Sequence, residues 1–232
     1  KRQTRFYSMN KAIGFIGLGI MGFPMAGHLS NHHEVSVFNR SFEKTKSWIK
    51  KHSGSECSSV KEISEVSDIL FLCVGNDNDV KEIISEKDGA LEHLKPGSCI
   101  IDHTTTSADL AIEMNDLLSS KNINYLDAPV SGGQAGAESG QLSIMVGGKI
   151  ELYEELKDIL MTYSKCIKYM GESGSGQLTK MVNQICIAGL LQGLAEGMHF
   201  SEKAGLNSKD VLEVISKGAA QSWQMENRWH TM

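Results

Sequence analysis

The sequence is poor in proline, with three in 232 residues, and poor in aromatic side chains, at 6%. So few prolines exclude a polyproline or collagen-like chain and leave room for long unbroken helices. No apolar run approaches the roughly 20 residues that cross a bilayer, so no membrane partner is expected. Basic residues are not in excess: 23 Lys and Arg face 28 Asp and Glu, a net charge of -5. That balance argues against a nucleic-acid or anionic-membrane partner. The five cysteines, Cys57, Cys73, Cys99, Cys166 and Cys186, are odd in number and scattered. They suit neither a disulfide framework nor a zinc site, so no metal is expected. Buried thiols in a reducing compartment are expected instead. The cytoplasm is the expected setting, with the mitochondrion as the eukaryotic alternative. The leader KRQTRFYSMN is basic and lacks acids; it reads either as an appended tag or as the end of a targeting segment.

What is present is an ordinary globular composition, 41% hydrophobic and 22% charged, with enough chain for one large domain or one and a half. Strand and helix patterns alternate up to about residue 173, and only helix follows. The first pair is AIGFIGLGIMGFPMAGHL: a strand over 12–16, then a helix over 20–30 with Pro24 in its first turns. Between them Gly17, Gly19 and Gly22 make G-x-G-x-x-G. Gly17 permits the tight turn, Gly19 lets a pyrophosphate approach the backbone, and Gly22 lets helix pack on strand. Leu18, Ile20 and Met21 complete the turn, and the helix N-terminus offers amides and a positive dipole end. Strand and helix context separates this fingerprint from a chance glycine-rich turn.

A second strand, 34–38, ends in Asn39-Arg40-Ser41 with no Asp or Glu. An acidic residue here usually holds the ribose of NAD, whereas arginine suits a 2′-phosphate. With Ser41 and Lys44 as further contacts, NADP(H) is favoured over NAD(H), against the plainer reading of a solvated surface arginine. The buried strand DILFLCV, 68–74, delivers Val74, Gly75 and Asn76 to the same sheet edge, and DNDVKEIIS follows as a helix. A strand over 98–102 delivers His103, Thr104 and Thr105. The threonines read as ribose or substrate ligands or as local caps; His103 is an acid–base candidate, although a lone loop histidine is more often structural. After a strand over 123–127, Ser131-Gly132-Gly133 offers consecutive amides and a hydroxyl, a cradle for a carboxylate, against the alternative of a flexible loop. Strands over 141–146 and 166–170 flank a helix over 151–163.

The stretch from Gly174 to Gly205 is one helical pattern without proline. It joins the cofactor-binding part to the helical part and carries Lys180 near its start, with Asn183 and Gln184 one turn on. An ordinary lysine, pKa about 10.4, is a poor base at neutrality; burial beside a cofactor would lower it into range. The alternative is an exposed helix lysine. Beyond it, NSKDVLEVISKG reads as a helix capped by Asn207 or Ser208 and stopped at Gly218.

FIGLGIMGFPMA, DAPVSGGQAGAESGQL and GSGQLTKMVNQ together resemble, in family order, three signatures of the β-hydroxyacid dehydrogenases. These include 3-hydroxyisobutyrate dehydrogenases, tartronate semialdehyde reductases and glyoxylate/succinic semialdehyde reductases. The resemblance implies an α/β fold: a Rossmann-type, doubly wound, mainly parallel domain over 10–173, an interdomain helix over 174–204, and from 205 to 232 the start of an all-helical domain. That domain often dimerises, so a homo-oligomer, dimer or tetramer, is expected. Relative to the family the chain is short at Met232; a further helix-rich segment with a lysine–aspartate motif is expected beyond it. The resemblance places the proton-transfer lysine on Lys180 and the binding of a small carboxylate substrate on Ser131, Gly132 and Gly133. The family's substrate-orienting Asn falls on Gln184, with Asn183 one place earlier, and the far pocket wall near Ser222 and Trp223. The implied activity is NADP(H)-dependent interconversion of a small hydroxy acid and its aldehyde or keto acid. Alternatives are an NAD-dependent 3-hydroxyisobutyrate dehydrogenase, an imine reductase, which usually lacks this lysine, and a non-catalytic cofactor-binding protein.

Overall fold

A computed structural model describes residues 11–229; the leader KRQTRFYSMN and its two readings lie outside them. In chain order the elements are β1 (Ile13–Ile16), α1 (Gly22–Ser30), β2 (Val35–Phe38), α2 (Phe42–Lys51), β3 (Ser55–Glu56) and α3 (Val60–Val66). There follow β4 (Ile69–Leu72), α4 (Asp77–Ser85), α5 (Ala90–His93), β5 (Cys99–Asp102), α6 (Ala108–Ser119) and β6 (Asn124–Asp127). The chain continues with β7 (Val130–Ser131), α7 (Gly133–Glu138), β8 (Leu142–Gly148), α8 (Ile150–Leu160), a 3-10 turn (Met161–Tyr163) and β9 (Ser164–Gly171). Last come α9 (Ser175–Lys203), α10 (Ser208–Ile215) and α11 (Trp223–Arg228).

The strands form one sheet in the order β3-β2-β1-β4-β5-β6-β8-β7, with β9 beside β8. From β3 through β6 every pairing is parallel, and β8 runs antiparallel to β6 and β7. Parallel strands are covered on both faces, which is why β1, β4 and β5 read as continuous apolar runs and are buried at every residue. One face packs Phe15, Phe71, Trp48 and Tyr163; the other packs Ile16, Leu70, Leu72 and Tyr125. The strand order reverses between β1 and β4, so their C-terminal ends open a crevice where α/β sheets bind ligands. The expected doubly wound architecture is what is found.

Several element boundaries differ from expectation. α1 starts at Gly22 rather than Ile20, because residues 19–21 complete the glycine turn. α2, a helix without expected bounds, is amphipathic: Thr45 and Trp48 are buried, Ile49 packs on the core, and its four lysines are exposed. Asn207, not Ser208, caps α10, accepting from Lys209 N at 3.0 Å. The thiols are all free, but Cys166 and Cys186 are exposed rather than buried. Cys166 sits on β9, which pairs on one side only.

The chain divides into two compact units at the Lys180–Met181 boundary. The second has its own small core of Leu194, Leu212 and Met225, against which Met198, Ile215 and Trp229 pack. α9, at 29 residues, is about 44 Å long. Among the described residues no helix is long and apolar enough to cross a membrane.

Candidate active site

The glycine turn is built as its residue types require. Gly17 has φ +99°, and a Cβ there would collide with the Cys73 carbonyl; a Cβ on Gly22 would collide with the carbonyl of Gly17. These two positions are closed by the protein itself. Gly19 is different: a Cβ there would meet nothing within 4 Å. Its missing side chain leaves open space in the turn that leads into α1, the kind of place where helix-terminal amides can receive an anion. Asn39, at the end of β2, fixes the turn, its Oδ1 accepting from Leu18 N at 2.9 Å while its Nδ2 donates to Ser41 O at 3.1 Å. Leu18 is buried and Ile20 exposed, with Met21 between.

In the second turn of α9, Lys180 is 9% exposed, and its Nζ donates at 2.9 Å to the carbonyl of Val130, which follows β6. Burial holds its pKa below the ordinary lysine value. Val130 directly precedes Ser131-Gly132-Gly133, so the lysine ammonium stands beside that cradle. Gly132 at φ +138° and Gly133 at φ +61° take conformations that side chains disfavour, and Gly133 faces open space. Asp127, which ends β6, receives Gly174 N at 2.8 Å and Gln177 N at 3.0 Å. Gln177, fully buried, donates to Thr104 O at 2.8 Å and accepts from Thr106 N at 3.1 Å. The start of α9 is thus tied to both the β5 and β6 loops.

Comparison with known proteins decides the family. Residues 12–171 match the NAD binding domain of 6-phosphogluconate dehydrogenase, and residues 174–232 match the NAD-binding region of NADP-dependent 3-hydroxyisobutyrate dehydrogenase. The chain belongs to the β-hydroxyacid dehydrogenase family. It is therefore an NAD(P)-dependent dehydrogenase acting on a hydroxyl group. An uncharacterized oxidoreductase of Shewanella frigidimarina is 51% identical over 221 residues, 95% of this chain and 76% of the relative. Among solved structures, Mycobacterium tuberculosis 3-hydroxyisobutyrate dehydrogenase with L-serine superposes with a TM-score of 0.86 at 29% identity, covering 94% of this chain and 74% of that one. Psf3 in complex with NADP+ and 2-OPP gives 0.85 at 28% identity, covering 92% and 76%.

Around this family's cofactor edge the remaining candidates fall into distinct classes. Arg40 is exposed, and its Nη1 lies 3.2 Å from Asp79 Oδ1; Ser41 and Lys44 are exposed beside it. Asp79 also receives Gly75 N at 3.0 Å. Asn76 is spent locally, capping α4 by accepting from Asn78 N and Asp79 N. Thr104 is buried, its Oγ1 accepting from Val74 N at 3.1 Å, so it braces two strand ends, whereas Thr105 is exposed. His103 is buried between Ala128 O at 2.6 Å from Nδ1 and the Tyr163 hydroxyl at 2.8 Å from Nε2. A carbonyl can only accept, so Nδ1 carries the proton and Nε2 accepts from Tyr163. Burial pushes the His103 pKa down to about 4, leaving it neutral and structural. In the second unit Asn183 Nδ2 donates to Gln184 Oε1 at 2.9 Å, and Trp223 is 56% exposed with the Arg228 guanidinium 5.9 Å above its ring.

Sequence reasoning did not find Asp79, the Val130 carbonyl, or the anchoring roles of Asp127 and Gln177. Asp127 and Gln177 stand within the quoted motifs, but nothing local says what they bind. A cavity of about 500 Å³ lies at the opposite sheet edge, lined by His33, Glu34, Ser53 and Val66, away from all of these groups.

Proposed function

We propose that the chain is an NADP(H)-dependent reductase of small aldehyde acids, such as succinic semialdehyde or glyoxylate, with Lys180 as the proton donor. The observation that carries this reading is the buried Lys180 ammonium on the Val130 carbonyl, one residue from Ser131-Gly132-Gly133. When bound, NADPH supplies the hydride to the carbonyl carbon. Lys180 gives its proton to the carbonyl oxygen, so the aldehyde becomes an alcohol, and takes it back in the reverse direction. Its lowered pKa brings this exchange closer to neutral pH. Ser131, Gly132 and Gly133 hold the substrate carboxylate. Asn183 and Gln184, three and four residues beyond Lys180 in α9, are the amides assigned to orient the substrate, and Trp223 is assigned to the pocket wall on the family resemblance. Gly17 through Gly22 receive the pyrophosphate, Val74, Gly75, Thr104 and Thr105 border the cofactor, and Arg40, with Ser41 and Lys44, takes the 2′-phosphate. The oligomer is a dimer or tetramer, and the free thiols fit the cytoplasm.

Support for NADP comes from Arg40 just after β2, where the chain has no Asp or Glu, and from the similar structure of Psf3, which holds NADP+. Asp79 beside Arg40 favours a second reading, an NAD-dependent 3-hydroxyisobutyrate dehydrogenase, since it brings a carboxylate to the adenosine end. The test is an NADPH-versus-NADH oxidation assay on glyoxylate, succinic semialdehyde and tartronate semialdehyde, with Lys180→Ala and Arg40→Asp alongside. Turnover with NADPH that falls about 10²–10⁴-fold in Lys180→Ala and shifts toward NADH in Arg40→Asp supports both assignments. Tight NADPH binding without turnover on any carbonyl acid would make the chain a binding protein.

A further inference from the structure

Amides at the start of α9 are met by Asp127, 47 residues upstream of Gly174, with one carboxylate oxygen on Gly174 N and the other on Gln177 N. The socket around this carboxylate is made of glycine. A Cβ on Gly147 would stand 2.5 Å from Asp127 Oδ1, and one on Gly176 would stand 2.8 Å from Oδ2. One strand, β8, and the helix itself therefore give up side chains where the acid meets the helix end. Lys180 lies three residues after Gln177, less than one turn along the same helix. Its contact with Val130 depends on where that turn sits relative to β6 and β7.

We propose that Asp127 is the positioning residue for Lys180: by holding the α9 amides from the end of β6, it sets the rotation and axial position of the helix and so seats the ammonium on the Val130 carbonyl. The proposal rests on the reading of Lys180 as proton donor. An aspartate reaches both amides because both its oxygens accept, and an asparagine of the same shape offers one acceptor and turns an NH₂ against an N–H. A neutral isostere therefore loosens the anchor without emptying the site.

The experiment compares the full chain with Asp127→Asn and with Gly147→Ala, which pushes a methyl into the socket while keeping the acid. Three readouts are taken: hydrogen exchange over residues 174–180, amine labelling of Lys180 as a function of pH, and steady-state kinetics with NADPH. Both variants are expected to exchange faster at the start of α9 and to shift the Lys180 labelling midpoint up toward ordinary lysine. They are also expected to lose kcat by about 10²-fold with NADPH affinity nearly unchanged. Faster exchange with an unmoved labelling midpoint and unchanged kcat overturns the proposal, as does unchanged exchange. Should the parent chain turn over no carbonyl acid, the donor reading fails, and the labelling midpoint alone decides whether Asp127 positions the lysine. Should Asp127→Asn not fold, Gly147→Ala decides on the same terms.

Discussion

Asp102 gives the sharpest stability prediction. It ends β5, is fully buried, and receives Thr104 N on one oxygen at 2.8 Å and the Tyr125 hydroxyl on the other at 3.0 Å. Burial nonetheless dominates and pushes its pKa from 3.8 up to about 6, with the nearby Asp127 adding in the same direction. A group whose pKa rises on folding binds its proton more tightly in the native state. Its contribution to stability is thus fully present below about 4 and is lost as pH climbs through about 6. A rise of about two units corresponds to about 3 kcal/mol between those limits. Asp102→Asn keeps an acceptor for Thr104 and removes the ionisation. Urea unfolding of both proteins should show the parent gaining on the variant by up to about 3 kcal/mol as pH falls from 7 to 4. Near pH 7 the variant should be the equal of the parent or better. A difference that is flat over this range, or that moves the other way, would show that the acid is as easily ionised in the fold as in the unfolded chain.

Other outcomes follow from the same contacts. His103→Phe strands the Tyr163 hydroxyl and the Ala128 carbonyl, each costing about 1–3 kcal/mol in denaturant unfolding. Because His103 stays neutral above about pH 4, the variant's kcat should keep the parent's pH profile from 5 to 8; a lost limb would make His103 an acid–base group after all. Gly19→Ala should weaken NADPH binding in a fluorescence titration with the denaturation midpoint nearly unchanged, whereas Gly22→Ala should lower that midpoint, since only the second collides with the protein itself. Ser59→Ala removes the acceptor for Glu62 N and should cost about 1 kcal/mol, read as a shift in the denaturation midpoint.

Much of this molecule is written locally. The apolar runs Ile69–Leu72 and Cys99–Asp102 announce strands covered on both sides, because a parallel strand has no wet face. A helix start such as Asn207 is visible because a cap bonds amides two or three residues on; Asn76, read as a cofactor contact, is shown only by the fold to cap α4. The α2 helix is written locally as well, since Thr45, Trp48 and Ile49 recur at helical spacing and face the core while its lysines face outward.

The sequence by itself determined the layer architecture, the glycine turn and the identity of the candidate lysine, since periodicity, φ preference and side-chain chemistry are properties of neighbouring residues. Only the tertiary structure decided that Lys180 meets Val130, that Asp127 meets the start of α9, that Arg40 meets Asp79, and that His103 is spent on Tyr163. Those partners lie between 39 and 60 residues apart. Contacts at that separation are chosen by strand order and sheet register, which bring loop ends to one edge, and no local pattern of residues records which ends will meet.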